Sequence, residues 1–144
     1  MKWYIGPLQK YAEFSGRARR KEFWLFFLWN TVIGSAFVAT SFLAGLAGAD
    51  EVAGEAVLLV YFVYALIIFL PSLAVLVRRL HDTNRKGWWI LFPLVPLFGN
   101  IVMLVFLCRK GTDGDNDYGP DPLAAAALDA GPRPQAILEP STEA

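Results

Sequence analysis

The chain is poor in the side chains that most metal and redox chemistry requires. Cys108 is its one cysteine and His81 its one histidine among 144 residues. A lone cysteine excludes an internal disulfide framework and a cysteine-built zinc site, and one histidine is too few for a typical catalytic zinc centre. We therefore expect no metal and no cofactor. No G-x-S-x-G nucleophile motif occurs, and no internal repeat of useful length. Charge is also scarce: 18% of residues are charged, against about 25% in an average soluble domain. The 13 bases and 13 acids cancel. With 56% hydrophobic residues and a mean hydropathy of +0.42, the chain is too apolar for intrinsic disorder.

The apolar residues are contiguous. Residues 23–49, 56–77 and 87–108 form three runs without a single Asp, Glu, Lys, Arg or His. A helix rises about 1.5 Å per residue, so roughly 20 residues cross a hydrocarbon core of about 30 Å. All three runs are long enough. The first could pass for a cleaved signal, since Ala47-Gly48-Ala49 resembles a cleavage site. However, secretory apolar regions are only about 7–15 residues long, so we expect a retained helix. The fold class expected is an all-α membrane protein with three transmembrane helices, in one polytopic domain over residues 1–122. The uncharged interiors argue against a proton-coupled transporter, which places ionisable residues at depth.

Orientation follows from the bases. Lys2, Lys10, Arg17, Arg19, Arg20 and Lys21 precede the first run, and Arg78, Arg79, Arg85 and Lys86 follow the second. The loop 50–55 has three acids and no base. Cytoplasmic loops carry the Lys/Arg excess, so the N-terminus and the 78–86 loop are expected in the cytoplasm. The third run contains Pro93 and Pro96, and we expect a span kinked there. The alternative is a re-entrant hairpin that returns the chain to the cytoplasm. Its arms would be too short to span alone, and it needs protein around it to satisfy its backbone.

Outside the runs, Tyr4, Leu8 and Tyr11 share one helical face, and Pro7 suits a first turn, so residues 1–14 read as a short interfacial helix. Residues 123–144 turn to Ala, Pro and Gly and read as a disordered tail. The neutral total hides a division: residues 1–110 carry twelve bases and six acids, and residues 111–144 one base and seven acids.

The topology brings two basic clusters, Gly16-Arg17-Ala18-Arg19-Arg20-Lys21 and Arg78-Arg79-Leu80-His81, to one membrane face. Guanidinium groups fork onto phosphate oxygens, so Arg17, Arg19, Arg20, Lys21, Arg78, Arg79 and His81 are candidate ligands for an anionic lipid headgroup or another anion. The plainer reading is that the same bases anchor the spans and set orientation. His81 and Asp82 are the most enzyme-like pair, yet neighbours on a helix do not face each other, and Asp82 more simply caps a helix or pairs with an arginine. We expect no enzyme. Asp113 to Gly119 resembles a calcium loop but has Tyr118 and Ala124 where glycine and glutamate belong, so a polar turn is the better reading. Ala36, Thr40, Ala44 and Gly48 recur every four residues and are a candidate packing seam, within the chain or between copies.

Four ordered motifs carry a resemblance. Tyr11-x-x-Phe14-x-Gly16-Arg17-Ala18-Arg19-Arg20-Lys21-Glu22-Phe23-Trp24 is the first, and Arg78-Arg79-Leu80-His81-Asp82 with Gly87-Trp88-Trp89 the second. Pro96-x-x-Gly99 and Gly111-x-x-Gly114-x-Asn116-x-Tyr118-Gly119-x-Asp121-Pro122 complete the set. Together they resemble the "domain of unknown function 805" (DUF805) family, the YhaH-like small bacterial inner-membrane proteins. The resemblance implies a bacterial plasma-membrane protein and carries over no activity, cofactor or substrate. The function expected is structural or accessory, with membrane lipids, a protein partner or a second copy as partners and no nucleic acid. The alternative is an oligomeric channel or transporter for a small solute.

Overall fold

In the computed structural model, which describes residues 2–48 and 50–129, the chain is helical, with an isolated bridge between Asn116 and Gly119 as its only β pairing among those residues. A short helix α1 (Lys2–Gln9) is followed by the long helices α2 (Arg20–Leu46) and α3 (Glu51–Asp82). A 3-10 helix (Gly87–Leu94), α4 (Gly99–Cys108) and α5 (Pro122–Asp129) complete it. At about 1.5 Å per residue, α2 and α3 are roughly 40 and 48 Å long, and among the described residues they are the two helices long and apolar enough to cross a membrane.

α2 and α3 run antiparallel. Ala47 and Gly48 end α2 by donating to Leu43 and Gly45 carbonyls, with Gly48 at φ +74°, a conformation that favours glycine. Asp50 then caps α3, accepting from the Ala53 N–H at 3.1 Å. The seam between the helices uses Asn30, Gly34, Phe37 and Ser41, about one per turn. Asn30 accepts from the Tyr64 hydroxyl at 2.6 Å, a Cβ on Gly34 would lie 3.3 Å from the Tyr61 hydroxyl, and Ser41 bonds the Gly54 carbonyl at 3.4 Å. Ala36 and Thr40 flank a shallow groove on the lipid-facing side with Ala56 and Val60, and Gly48 lies past the end of the helix. Polar anchoring at Asn30 and Ser41 and the close approach at Gly34 set the seam within the chain.

Exposure is inverted relative to a water-soluble domain. Phe42 in the last turns of α2 and Ile67 in the middle of α3 are each 66% exposed, while Arg79 is fully buried. That pattern fits apolar rings facing acyl chains and charges facing inward. The helix α1 ends at Gln9, before Tyr11, and packs on both long helices. Tyr4 stacks on Phe26 at 5.5 Å and meets the Tyr64 hydroxyl at 3.3 Å.

The all-helical membrane architecture read from the sequence stands, but the third run does not cross. Its first arm is the 3-10 helix and its second is α4, each about 15 Å long, half of a hydrocarbon core. Between them the chain reverses: Leu97 adopts φ +69°, and the Gly99 N–H bonds the Val95 carbonyl at 3.0 Å. A Cβ on Gly99 would lie 2.0 Å from the Phe92 carbonyl oxygen, so the turn admits only glycine there. Both ends of the run return to the C-terminal end of α3: Gly87 abuts Val77 and His81, and the Leu107 carbonyl accepts from Arg79. Pro93 and Pro96 therefore break the run into a re-entrant hairpin rather than kinking a span. Trp89 packs between Phe92 and Phe106, at 4.9 and 5.4 Å, which closes the hairpin's own core. The segment read as a disordered tail begins with the helix α5; residues 130–144 lie outside the described residues.

Candidate functional site

The hairpin delivers residues 109–121 to the basic end of the two long helices, where the first, second and fourth sequence motifs meet. Asp82, in the last turn of α3, stands at the centre. Its Oδ1 accepts from Arg17 Nε at 3.1 Å and its Oδ2 from Arg79 Nη1. The three side chains are 2, 0 and 7% exposed for Arg17, Arg79 and Asp82. Two guanidinium groups thus share one carboxylate in a dry place, and such an arrangement holds only if the remaining donors find acceptors.

They do, in backbone carbonyls. Arg79 donates to the Leu107 carbonyl at 3.2 Å through both Nε and Nη2, and to the Arg109 carbonyl through Nη2. Arg17 donates to the carbonyls of Thr112 and Gly114, each at 2.6 Å. Arg79 therefore stitches α3 to the end of α4, and Arg17 stitches the chain before α2 to the segment after α4. The Asp82 carbonyl accepts from the Thr112 N–H at 2.8 Å. Gly111 lies flat on the carboxylate: a Cβ there would come within 2.2 Å of Asp82 Oδ2. That close approach is why glycine stands at 111.

His81 takes no part in the carboxylate cluster. Its ring stacks on Tyr118 at 3.9 Å and 6°, and its Nδ1 lies 3.3 Å from the Gly16 carbonyl. The His81 carbonyl accepts from Asn116 Nδ2 at 2.9 Å, and Asn116 also accepts from the Tyr118 N–H at 2.9 Å. Asn116 and Gly119 pair their backbones across a tight turn, as the polar-turn reading of this stretch expected. Imidazole and carboxylate, adjacent in sequence, face different partners, so they form no general-base dyad. Among the described residues no three His, Cys, Asp or Glu side chains gather as metal ligands.

The candidate bases divide. Arg17 and Arg79 are consumed by internal carboxylate and carbonyl acceptors. Arg78 gives one nitrogen to Glu22 at 3.3 Å and leaves Nε and Nη2 buried with no partner among the described residues. Arg19, Arg20 and Lys21 remain at the surface, where with Lys110 they line a cleft of about 480 Å³. Asp113 and Asp121 also line it, and Lys110 meets Asp113 at 2.6 Å in an exposed pair. Asp121 is held below the usual carboxylate range, first by the Leu123 N–H it accepts, then by the Gly114 N–H and the Arg17 charge. Arg85 lies over the Phe106 ring at 3.8 Å, and burial lowers its pKa from the ordinary arginine value.

Sequence reasoning missed Gly111, Thr112, Asn116 and Tyr118 as site-building residues and gave Asp82 only a choice of minor roles. The signal was present in the fourth motif, whose glycines, asparagine and tyrosine serve as docking groups for His81 and Asp82.

Known proteins agree with the membrane reading. A family model described as "Protein of unknown function (DUF805)" matches residues 11–120. The chain is 46% identical over 122 residues to "Inner membrane protein YhaI" of Escherichia coli (strain K12), covering 85% of this chain and 96% of that protein. It is 44% identical to "Inner membrane protein YhaH" of the same organism, over 85% of this chain and 97% of that protein. "Uncharacterized protein YiiR" is 30% identical over 75% of this chain and 84% of its own length. No solved structure matches.

Proposed function

Because the chain belongs to the DUF805 family, whose members include inner-membrane proteins and whose activity is unknown, we propose its role from its basic end: a structural or accessory protein that holds an anionic lipid headgroup there. The observation that carries this reading is the cleft in which Arg19, Arg20, Lys21 and Lys110 converge from two segments of chain, while Arg17, which also lines it, and Arg79 are taken up by Asp82. The buried arginines build the end; the surface bases, of which Lys110 also meets Asp113, present it. The basic end faces the cytoplasm, following the Lys/Arg excess around both of its loops. A juxtamembrane base contributes about 1 kcal/mol to attraction of anionic lipid. Reversing two of them, Arg20→Glu with Lys110→Glu, removes at least about 2 kcal/mol, roughly a thirty-fold loss. Retention of phosphatidylglycerol by the full chain in mild detergent is the test. Equal retention by this variant and the unmodified chain, with equal thermal unfolding, overturns the reading.

A further inference from the structure

An apolar groove of about 970 Å³ runs along α2 from Phe23 to Phe42, and its near end opens beside the basic cleft. Three elements wall that near end: Phe23 and Phe27 of α2, Val75 and Leu76 of α3, and Met103 and Leu107 of α4. Arg20, the first residue of α2, precedes Phe23 by three; Arg19 is the extended residue before the helix, and Lys110 lies two residues past the end of α4, three after Leu107. Arg20 and Phe23 share a helix face, and Lys110 follows Leu107 closely in the chain, so α2 and the chain leaving α4 each join the near end of the groove to a base of the cleft. The re-entrant hairpin reaches only half the bilayer, so the third wall exists only in the leaflet on the basic side.

We propose that groove and cleft are one site, occupied by a single two-chain anionic phospholipid with an acyl chain between α2 and α4 and its phosphate on Arg19, Arg20 and Lys110. This deepens the headgroup reading and rests on it. Three of the polar residues of the groove favour an acyl chain over a polar solute, because they turn back onto their own helices. Asn30 donates to the Phe26 carbonyl at 2.7 Å, Thr31 to Phe27 at 2.9 Å and Ser72 to Ile68 at 2.7 Å, each back onto its own helix. The rest of the lining is hydrocarbon apart from the hydroxyls of Ser35 and Tyr61. A second copy of this chain is disfavoured by charge: two copies joined along this groove in one membrane would set their clusters of Arg20, Lys21 and Lys110 side by side. A diacyl lipid with a negative headgroup satisfies both halves at once.

The test uses the full chain in mild detergent, with dioleoylphosphatidylglycerol and dioleoylphosphatidylcholine as probes and native mass spectrometry as readout. Thr31→Trp fills the groove at the depth of the first leaflet from an exposed position, and Ser35→Trp blocks it independently one turn further on. Val32→Trp adds the same bulk on an exposed position that does not line the groove. The expected result is one phosphatidylglycerol held in preference to phosphatidylcholine, a loss of at least about tenfold in Thr31→Trp and Ser35→Trp, and no loss in Val32→Trp. Unchanged phosphatidylglycerol retention in whichever groove variant unfolds at the Val32→Trp midpoint overturns the proposal. If Arg20→Glu with Lys110→Glu still loses the lipid in that case, the headgroup reading survives without the groove. A dimer that Thr31→Trp dissociates, with no lipid bound, also overturns it and gives the groove to a second copy.

Discussion

Replacing Asp82 by alanine removes the one carboxylate that faces two buried guanidinium groups. Arg79 would keep the Leu107 and Arg109 carbonyls, and Arg17 the Thr112 and Gly114 carbonyls, so neither loses every acceptor. What each loses is its counter-charge. Both side chains are almost wholly buried, and the two positive charges would then face each other across the vacated space. Removing one partner of a buried pair costs about 3–5 kcal/mol, and this site, with two cations orphaned, belongs at the upper end. For a chain of this size such a loss lowers the unfolding midpoint by on the order of 10 °C. The assay is thermal unfolding in mild detergent followed by tryptophan fluorescence, with limited proteolysis of residues 110–121 as a local readout. Those residues are tied to the Asp82 carboxylate through Arg17, so they should become cleavable before the rest unfolds, even though the Thr112 N–H keeps the main-chain carbonyl of residue 82. Asp82→Asn keeps an acceptor and should fall between. As a contrast, Lys10→Ala breaks an exposed pair with Glu13 and should cost less than about 1 kcal/mol. An Asp82→Ala protein with the unmodified midpoint and an uncut 110–121 segment would refute the reasoning.

Further outcomes follow from the same contacts. Gly111→Ala places a methyl within 2.2 Å of Asp82 Oδ2, so the carboxylate or the loop must shift, at about 1–3 kcal/mol, measurable as a lower unfolding midpoint. Tyr118→Ala removes the ring stacked on His81 and should release the 116–119 turn to protease at a cost of about 0.5–1.5 kcal/mol, whereas Tyr118→Phe should not. The Asp121 carboxyl is lowered in the folded chain, so its contribution is present above its ordinary pKa of 3.8 and is lost as pH falls through the lowered folded value. Proteolysis after α4 should therefore quicken below about pH 4, and Asp121→Asn should abolish that acid step.

Much of this architecture was legible in the sequence, and the gaps have physical causes. Uncharged run length identifies α2 and α3, because crossing a bilayer imposes a length on any apolar helix. The same count cannot separate a span from a hairpin of two half-length arms, and 22 uncharged residues satisfy both. The discriminating signals were Pro93, Pro96 and Gly99 at the midpoint and the bases Arg109 and Lys110 at the end, which the charge rule places on the same side as Arg78 and Arg79. The basic clusters were also legible as meeting at one end. Their division into buried and free members was not. Arg17 finds Asp82 across 65 residues and Gly114 across 97, and nothing local to Arg17 distinguishes it from Arg19. The fourth motif was visible as a pattern, but its role appears only when the hairpin carries it back to His81 and Asp82.

Arg17 before α2 and Thr112 after α4 can touch only if the chain returns to its starting side after two crossings. The most direct test is a pair of topology reporters on the full chain, one at each terminus, read for the side of the membrane each occupies. Both termini on the same side, with cytoplasmic fluorescence and no periplasmic phosphatase activity from either fusion, is the result expected. Phosphatase activity from the C-terminal fusion, with the N-terminal one cytoplasmic, would mean that residues 87–108 cross the bilayer, and the Arg17–Asp82–Arg79 cluster could not form.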